Sequence, residues 1–136
     1  MKEIAWKKIC CPIDFSEESR AALRVAADVA RRFGAELTVL HVGDGARPEE
    51  ATELQTWSKD AVDGTVRPAT AEAEGDPKTA IAEYANAHGF DAIVLGTHGR
   101  TGRAHALVGS VAENTVRQAR CPVMVVHSEW SGLAGA

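Results

Sequence analysis

Residues 96 to 110 read GTHGRTGRAHALVGS and gather four glycines, two arginines, two histidines and a serine. Two residues separate Gly96 from Gly99, nine separate Gly99 from Gly109, and Ser110 follows directly. Glycine reaches positive φ and leaves room for a ligand beside the backbone, which a loop needs if its N–H groups are to converge on phosphate oxygens. Ser110 then opens a helix, SVAENTVRQAR, whose first N–H groups and dipole favour an anion. The stretch therefore carries two anion-binding devices in succession. A purely structural reading stands beside this one, because Ser110 and Glu113 form S-x-x-E, a capping box. Arg100 and Arg103 either meet that anion or are solvated loop cations. His98 and His105 read as surface polar residues without an identifiable partner.

A loop of this kind must be held by a scaffold, and hydrophobic periodicity shows which. KKICCPI, residues 7 to 13, is a short apolar run that stops at Asp14 and reads as a buried strand. In the segment that follows, Ala22, Ala26, Val29 and Phe33 recur at helical spacing, with Ser16 as N-cap and Gly34 as the stop. LTVLHV, residues 37 to 42, is a second strand, and a weaker helical pattern runs from Ala51 through Leu54 and Trp57 to Gly64. Residues 65 to 75 resemble a strand in part. Pro68 cannot donate to a ladder and puts that strand at a sheet edge. Asp76-Pro77 starts a helix that Gly89 ends, residues 91 to 97 are the clearest buried strand, and residues 121 to 127 are the last. Strands alternating with helices predict an α/β fold: one domain over residues 1–128, an open parallel five-stranded sheet with helices on both faces. Residues 129–136 read as a flexible tail in which Trp130 alone is tied down.

Ligands on such sheets bind beyond the carboxyl ends of the strands, where strand order reverses. In a five-stranded version that winds one way and then returns, strands one and four meet there. Asp14 ends strand one and Gly96 ends strand four. A carboxylate at that point either accepts from a ribose hydroxyl or caps the first helix.

Composition narrows the partners. The chain has 136 residues and a formal net charge of −4, which leaves no general footprint for wrapping nucleic acid. No apolar run approaches the roughly 18 residues needed to span a bilayer, and the N-terminal run is broken by Pro12 and Asp14, so neither a membrane span nor a secretory signal is expected. Cys10, Cys11 and Cys121 read as reduced core residues of a cytoplasmic protein. Cys10 and Cys11 point to opposite faces of a strand and lack the spacer of about two to four residues usual between zinc ligands.

These residues together carry a family resemblance. CPIDFSEESRAAL, LTVLHV and IVLGTHGRTGRAHALVGSVAENTVRQARCPVMVV resemble the universal stress protein family over nearly the whole chain, and Gly-x2-Gly-x9-Gly-Ser resembles the signature of its ATP-binding branch. The resemblance implies a Rossmann-like sheet of order 3-2-1-4-5. It implies ATP as ligand, with Mg2+ or Mn2+ bridging the phosphates. Asp14 would bind the ribose, backbone near Ile13 and Val42 would meet the adenine, and Gly96 would lie against the sugar. Gly99, Arg100, Gly109, Ser110 and Val111 would line the phosphates. It further implies a homodimer paired through residues 122–127. Arg103 departs from the family pattern, and the stretch between the second and third strands is short.

Three functional classes follow: a nucleotide-binding regulatory module, a slow ATPase or autophosphorylating protein, and an interaction scaffold with a relic loop. Hydrolysis requires a positioned water and usually a base, and the sequence offers no convincing base. Adenylating and pyrophosphate-releasing enzymes of related architecture carry Ser-Gly-Gly after the first strand, where this chain reads PIDFSEES.

Overall fold

The computed structural model describes residues 2–43, 48–97, 109–127, 130 and 132. Five strands and four helices alternate: β1 (Lys8–Ile13), α1 (Glu17–Phe33), β2 (Glu36–Gly43), α2 (Pro48–Ala61), β3 (Ala69–Glu74), α3 (Pro77–Ala87), β4 (Ala92–Gly96), α4 (Ser110–Gln118) and β5 (Val123–Val126). All strand pairs are parallel, in the order β3-β2-β1-β4-β5, the order the resemblance implied. β3 starts one residue after Pro68 and lies at the edge, as a residue without an N–H requires.

Alternation along the central strands divides the core into two layers. Ile9, Cys11 and Ile13 of β1, with Val39 and Val94, pack under α1 and α2. Cys10, Leu40, Ile93 and Leu95 pack on the other face against Ile81 and Ala85 of α3 and Ala112 of α4. Ile9, Leu40 and Ile93 have no exposed surface, and each such side chain contributes about 1.5–3 kcal/mol of apolar burial.

Local signals set the helix ends that frame the site. The Ser16 hydroxyl accepts from the Ser19 N–H at 3.1 Å and starts α1. Gly34, at φ 64°, ends it, a left-handed conformation in which a side chain would be strained. Asp76 accepts from the Lys78 N–H at 3.0 Å, with Pro77 in the first turn of α3. The Trp130 N–H donates to His127 O at 3.0 Å; the residue is 54% exposed and its ring lies against Gly132.

Candidate functional site

β1 and β4 are neighbours at the point where strand order reverses, and they pair only at their amino ends. Their register runs Ile9↔Ala92 and Cys10↔Ile93, whereas β1 and β2 are in register from Lys8 to Ile13. Pro12 has no N–H to give to either neighbour, and the β1–β4 ladder stops at Cys10, at the switch point beyond which ligands bind on such sheets.

Asp14 follows the last residue of β1 at that switch point. Its Oδ1 accepts from the Ser19 hydroxyl at 2.7 Å and from the Ser16 N–H at 3.1 Å, while its own N–H donates to Ser19 Oγ at 3.0 Å. The cap of α1 is Ser16, so Asp14 does not serve as that cap; it closes a tight turn over the residue between them. That residue, Phe15, has φ 64°, which costs a side chain other than glycine about 1–3 kcal/mol. The Asp14 carboxylate and Ser19 hold it there from both sides. The Phe15 ring meets the His41 ring at 4.9 Å and the edge of Trp57 at 5.7 Å, and the Arg20 guanidinium lies 5.1 Å from the Trp57 ring.

At the end of β4, a Cβ on Gly96 would stand 3.1 Å from the Glu18 carbonyl oxygen. Gly96 is therefore required by the first turn of α1, which presses the Asp14 turn against the start of the glycine-rich loop. This contact is a structural reason for Gly96 beside the sugar contact that the resemblance implied. The loop is closed at its base by Thr97, which is 2% exposed. Thr97 N–H donates to Val126 O at 3.1 Å, and Thr97 O accepts from the Gly109 N–H at 2.6 Å. Residues 98 to 108, including His98, Gly99, Arg100, Arg103 and His105, lie outside the described residues.

The start of α4 bears on the capping-box reading of Ser110. The N-cap is Gly109, in extended backbone (φ −69°, ψ 162°) and without a side-chain cap, and the first ladder donor is the Glu113 N–H, to Gly109 O at 3.0 Å. Ser110 is the first helical residue, and the capping box is not formed. Glu113 instead pairs with Arg117 at 3.0 Å. The N–H groups of Ser110, Val111 and Ala112 precede the ladder, and the dipole they carry favours an anion. The Ser110 side chain is exposed, and Val111 is half-buried with its carbonyl accepting from Thr115 Oγ1 at 2.8 Å. On the far side of β1, Ile13 is in register with His41, which places its backbone beside Val42; the Ile13 side chain is buried in the α1/α2 layer.

The structure thus brings together Asp14, Gly96, Gly109, Ser110 and Val111 around the ends of β1 and β4, with Ile13 and Val42 on the adjoining strands. Sequence reasoning missed Thr97, Ser19 and the Phe15–His41–Trp57 contact. The spacing of PIDFSEES could have pointed to Ser19, three residues after the cap; nothing local points to Thr97 or Trp57. The cysteines take no part. Burial pushes Cys10 up to about 12 and Cys11 well above its ordinary range, so both stay protonated and are poor nucleophiles. Among the described residues, no three His, Cys, Asp or Glu side chains converge as metal ligands.

Comparison with known proteins gives this arrangement its lineage. The sequence model of the universal stress protein family matches residues 5–127. The chain belongs to the universal stress protein family. A curated universal stress protein of Methanocaldococcus jannaschii is 34% identical, the match covering 91% of this chain and 84% of that protein. Among solved structures, a universal stress protein in complex with cAMP is 27% identical with a TM-score of 0.74, the match covering 93% of this chain and all of the other. The Lactobacillus plantarum universal stress protein UspA matches equally well, at 27% identity and a TM-score of 0.74 over 91% and 99% of the two chains. For this universal stress protein, the sheet order is thus a feature of a shared fold.

Proposed function

We propose that this chain is an adenine-nucleotide-binding regulatory module of the stress response, with ATP as its nucleotide. The observation that carries the reading is the close approach of Gly96 to the Glu18 carbonyl, which sets the turn bearing Asp14 beside the end of β4, one residue before the Thr97 carbonyl that receives the Gly109 N–H. The described residues fit such a ligand. The Asp14 carboxylate is an acceptor of the kind a ribose hydroxyl donates to. Gly109 presents no side chain between an anion and the first N–H groups of α4. Ile13 and Val42 offer backbone to the base; Gly99 and Arg100, which lie outside the described residues, are assigned to the phosphate side by the family resemblance alone. The cAMP held by a 27% identical relative supports an adenine nucleotide. A divalent ion, Mg2+ or Mn2+, would neutralise and bridge the phosphates. The protein's own part is to bind and orient.

The remaining features of the reading belong with it. The three cysteines are free thiols, which suits a reducing compartment such as the cytoplasm. Residues 1–128 act as one domain, and β5 joins two copies.

Calorimetric titration of the nucleotide-stripped protein with ATP and Mg2+ tests the reading. Micromolar binding, about −8 kcal/mol, is the expected result. Gly109→Val places a branched side chain where the phosphates would sit and should weaken ATP at least about tenfold, a loss of about 1.4 kcal/mol, while leaving the far-UV spectrum unchanged. Unchanged affinity in that variant would sink the site. The absence of heat and of competition at millimolar ATP would favour the interaction scaffold.

One observation favours a second reading, autophosphorylation. The Ser110 hydroxyl is exposed and is not used as a cap, so it is available as a phosphoryl acceptor at the phosphate end. Phosphate incorporation from ATP that persists in Ser110→Ala would dismiss it.

A further inference from the structure

We propose that the Phe15–His41–Trp57 contact couples the Asp14 turn to α2, so that the packing of α2 on the sheet changes when nucleotide occupies the proposed site. The inference rests on the nucleotide-binding reading above and names the element that responds.

Three observations converge on it. The first is covalent. Phe15 lies between Asp14 and Ser16, and the hydrogen bond from the Ser16 N–H to Asp14 Oδ1 spans it. A sugar hydroxyl donating to the Asp14 carboxylate adds a donor to the group that Ser16 and Ser19 already bond through Oδ1, and so draws charge from the bonds that hold Phe15 in its left-handed conformation. The second is where the ring points. Phe15 is wedged between His41 on β2 and Trp57 on α2, so a change of its backbone angle moves a large side chain directly under α2. The third is that polar atoms lie unsatisfied at both ends of this contact. His41 Nδ1, beside Phe15, and Ser58 Oγ, next to Trp57 in sequence, are both buried without a hydrogen-bond partner among the described residues, and Ser58 is 1% exposed. Buried polar groups are normally paired. A strained backbone and two orphaned atoms in adjoining residues mark the place where a second arrangement lies close in energy.

Coupling requires a ligand that discriminates between two arrangements. Here the discriminating contact is the Asp14 carboxylate, whose donors differ with and without a sugar hydroxyl. Reciprocity then requires changes at Phe15 to alter nucleotide affinity in turn.

The test uses a variant in which Trp57 is the sole tryptophan, Trp6→Phe with Trp130→Phe, titrated with ATP and Mg2+ by fluorescence and by calorimetry in parallel. Hydrogen exchange of α2 in the unmutated protein, with and without ATP, serves as a second readout should the sole-tryptophan protein fail to fold. The expected result is a Trp57 emission change with the same midpoint as the heat, and altered exchange in residues 54 to 61. Phe15→Gly, which adopts the observed φ without strain, should still bind ATP yet lose both responses. Phe15→Leu keeps an apolar filler without the ring contacts to His41 and Trp57 and should lose most of the emission change. Heat without any change at Trp57 or in α2 exchange overturns the coupling and leaves nucleotide binding standing. A full response retained in Phe15→Gly overturns it too. No heat at all removes the nucleotide reading and this inference together.

Discussion

Gly96 is the residue on which the two halves of the site depend. With the Glu18 carbonyl 3.1 Å from its missing Cβ, Gly96→Ala forces either β4 or the first turn of α1 to shift. Overpacking of this kind costs about 1–3 kcal/mol, and the shift would separate the Asp14 turn from the loop. A lower urea midpoint together with weaker ATP binding is the expected outcome; an unchanged midpoint would mean that the two halves are not held by this contact. The buried thiols make a different prediction. The Cys10 thiol ionises near an ordinary 9.0 in the unfolded chain and not until about 12 in the folded one. Between those values the unfolded chain holds fewer protons, so stability is fully present below pH 9 and falls as pH rises. The slope is on the order of 1 kcal/mol per pH unit for each such thiol. Cys11, displaced in the same direction by burial, adds to it. Urea midpoints measured across alkaline pH should fall in the parent and fall less steeply in Cys10→Ala.

At the scale of elements, helix starts set by neighbouring residues are the most directly testable. Asp76 supplies an oxygen to the Lys78 N–H ahead of Pro77, and Asp76→Ala should lower stability by about 1 kcal/mol, read as a reduced urea midpoint at unchanged slope. The same locality explains what could be read from the sequence. β4, α1 and α3 were legible because an apolar period and a cap lie within a few residues of each other, and Gly96 and Asp14 were legible as strand ends. The S-x-x-E at Ser110 misled because the extended backbone of Gly109 already ends the loop and makes Ser110 the first helical residue; the motif is right in composition and one position late. The roles of Gly96 against Glu18 and of Phe15 between His41 and Trp57 were not legible. Each depends on residues brought together from separate elements, as does Thr97, whose carbonyl and N–H join β4, β5 and the start of α4. α2 shows the limit of periodicity: its pattern suggested a helix from Ala51 to Gly64, but it runs from Pro48 to Ala61, with Ser58 on its buried side where an apolar residue would be expected.

At the scale of the whole molecule, β5 raises the question of what covers its outer edge. It is the last strand in the sheet order and is four residues long. Its Met124 is 36% exposed, and Val116 on α4, the helix that packs on β5, is 50% exposed. An unpaired strand edge bordered by apolar side chains is a pairing template unless it is blunted by charge or proline, and neither occurs within Val123–Val126. A second copy would satisfy that edge without needing any other partner. Two β5 strands related by a two-fold axis would run antiparallel and join two five-stranded sheets into one. The expected state is a dimer by sedimentation equilibrium. Met124→Lys places a charge at that edge, at a position exposed enough to leave the monomer's core intact, and should shift the equilibrium to monomer with the thermal midpoint of the monomer nearly preserved. A parent protein that sediments as a monomer at high concentration would refute the pairing. So would a Met124→Lys variant as dimeric as the parent. Either result would leave the proposed nucleotide site as it is, because Asp14, Gly96 and the start of α4 all belong to one chain.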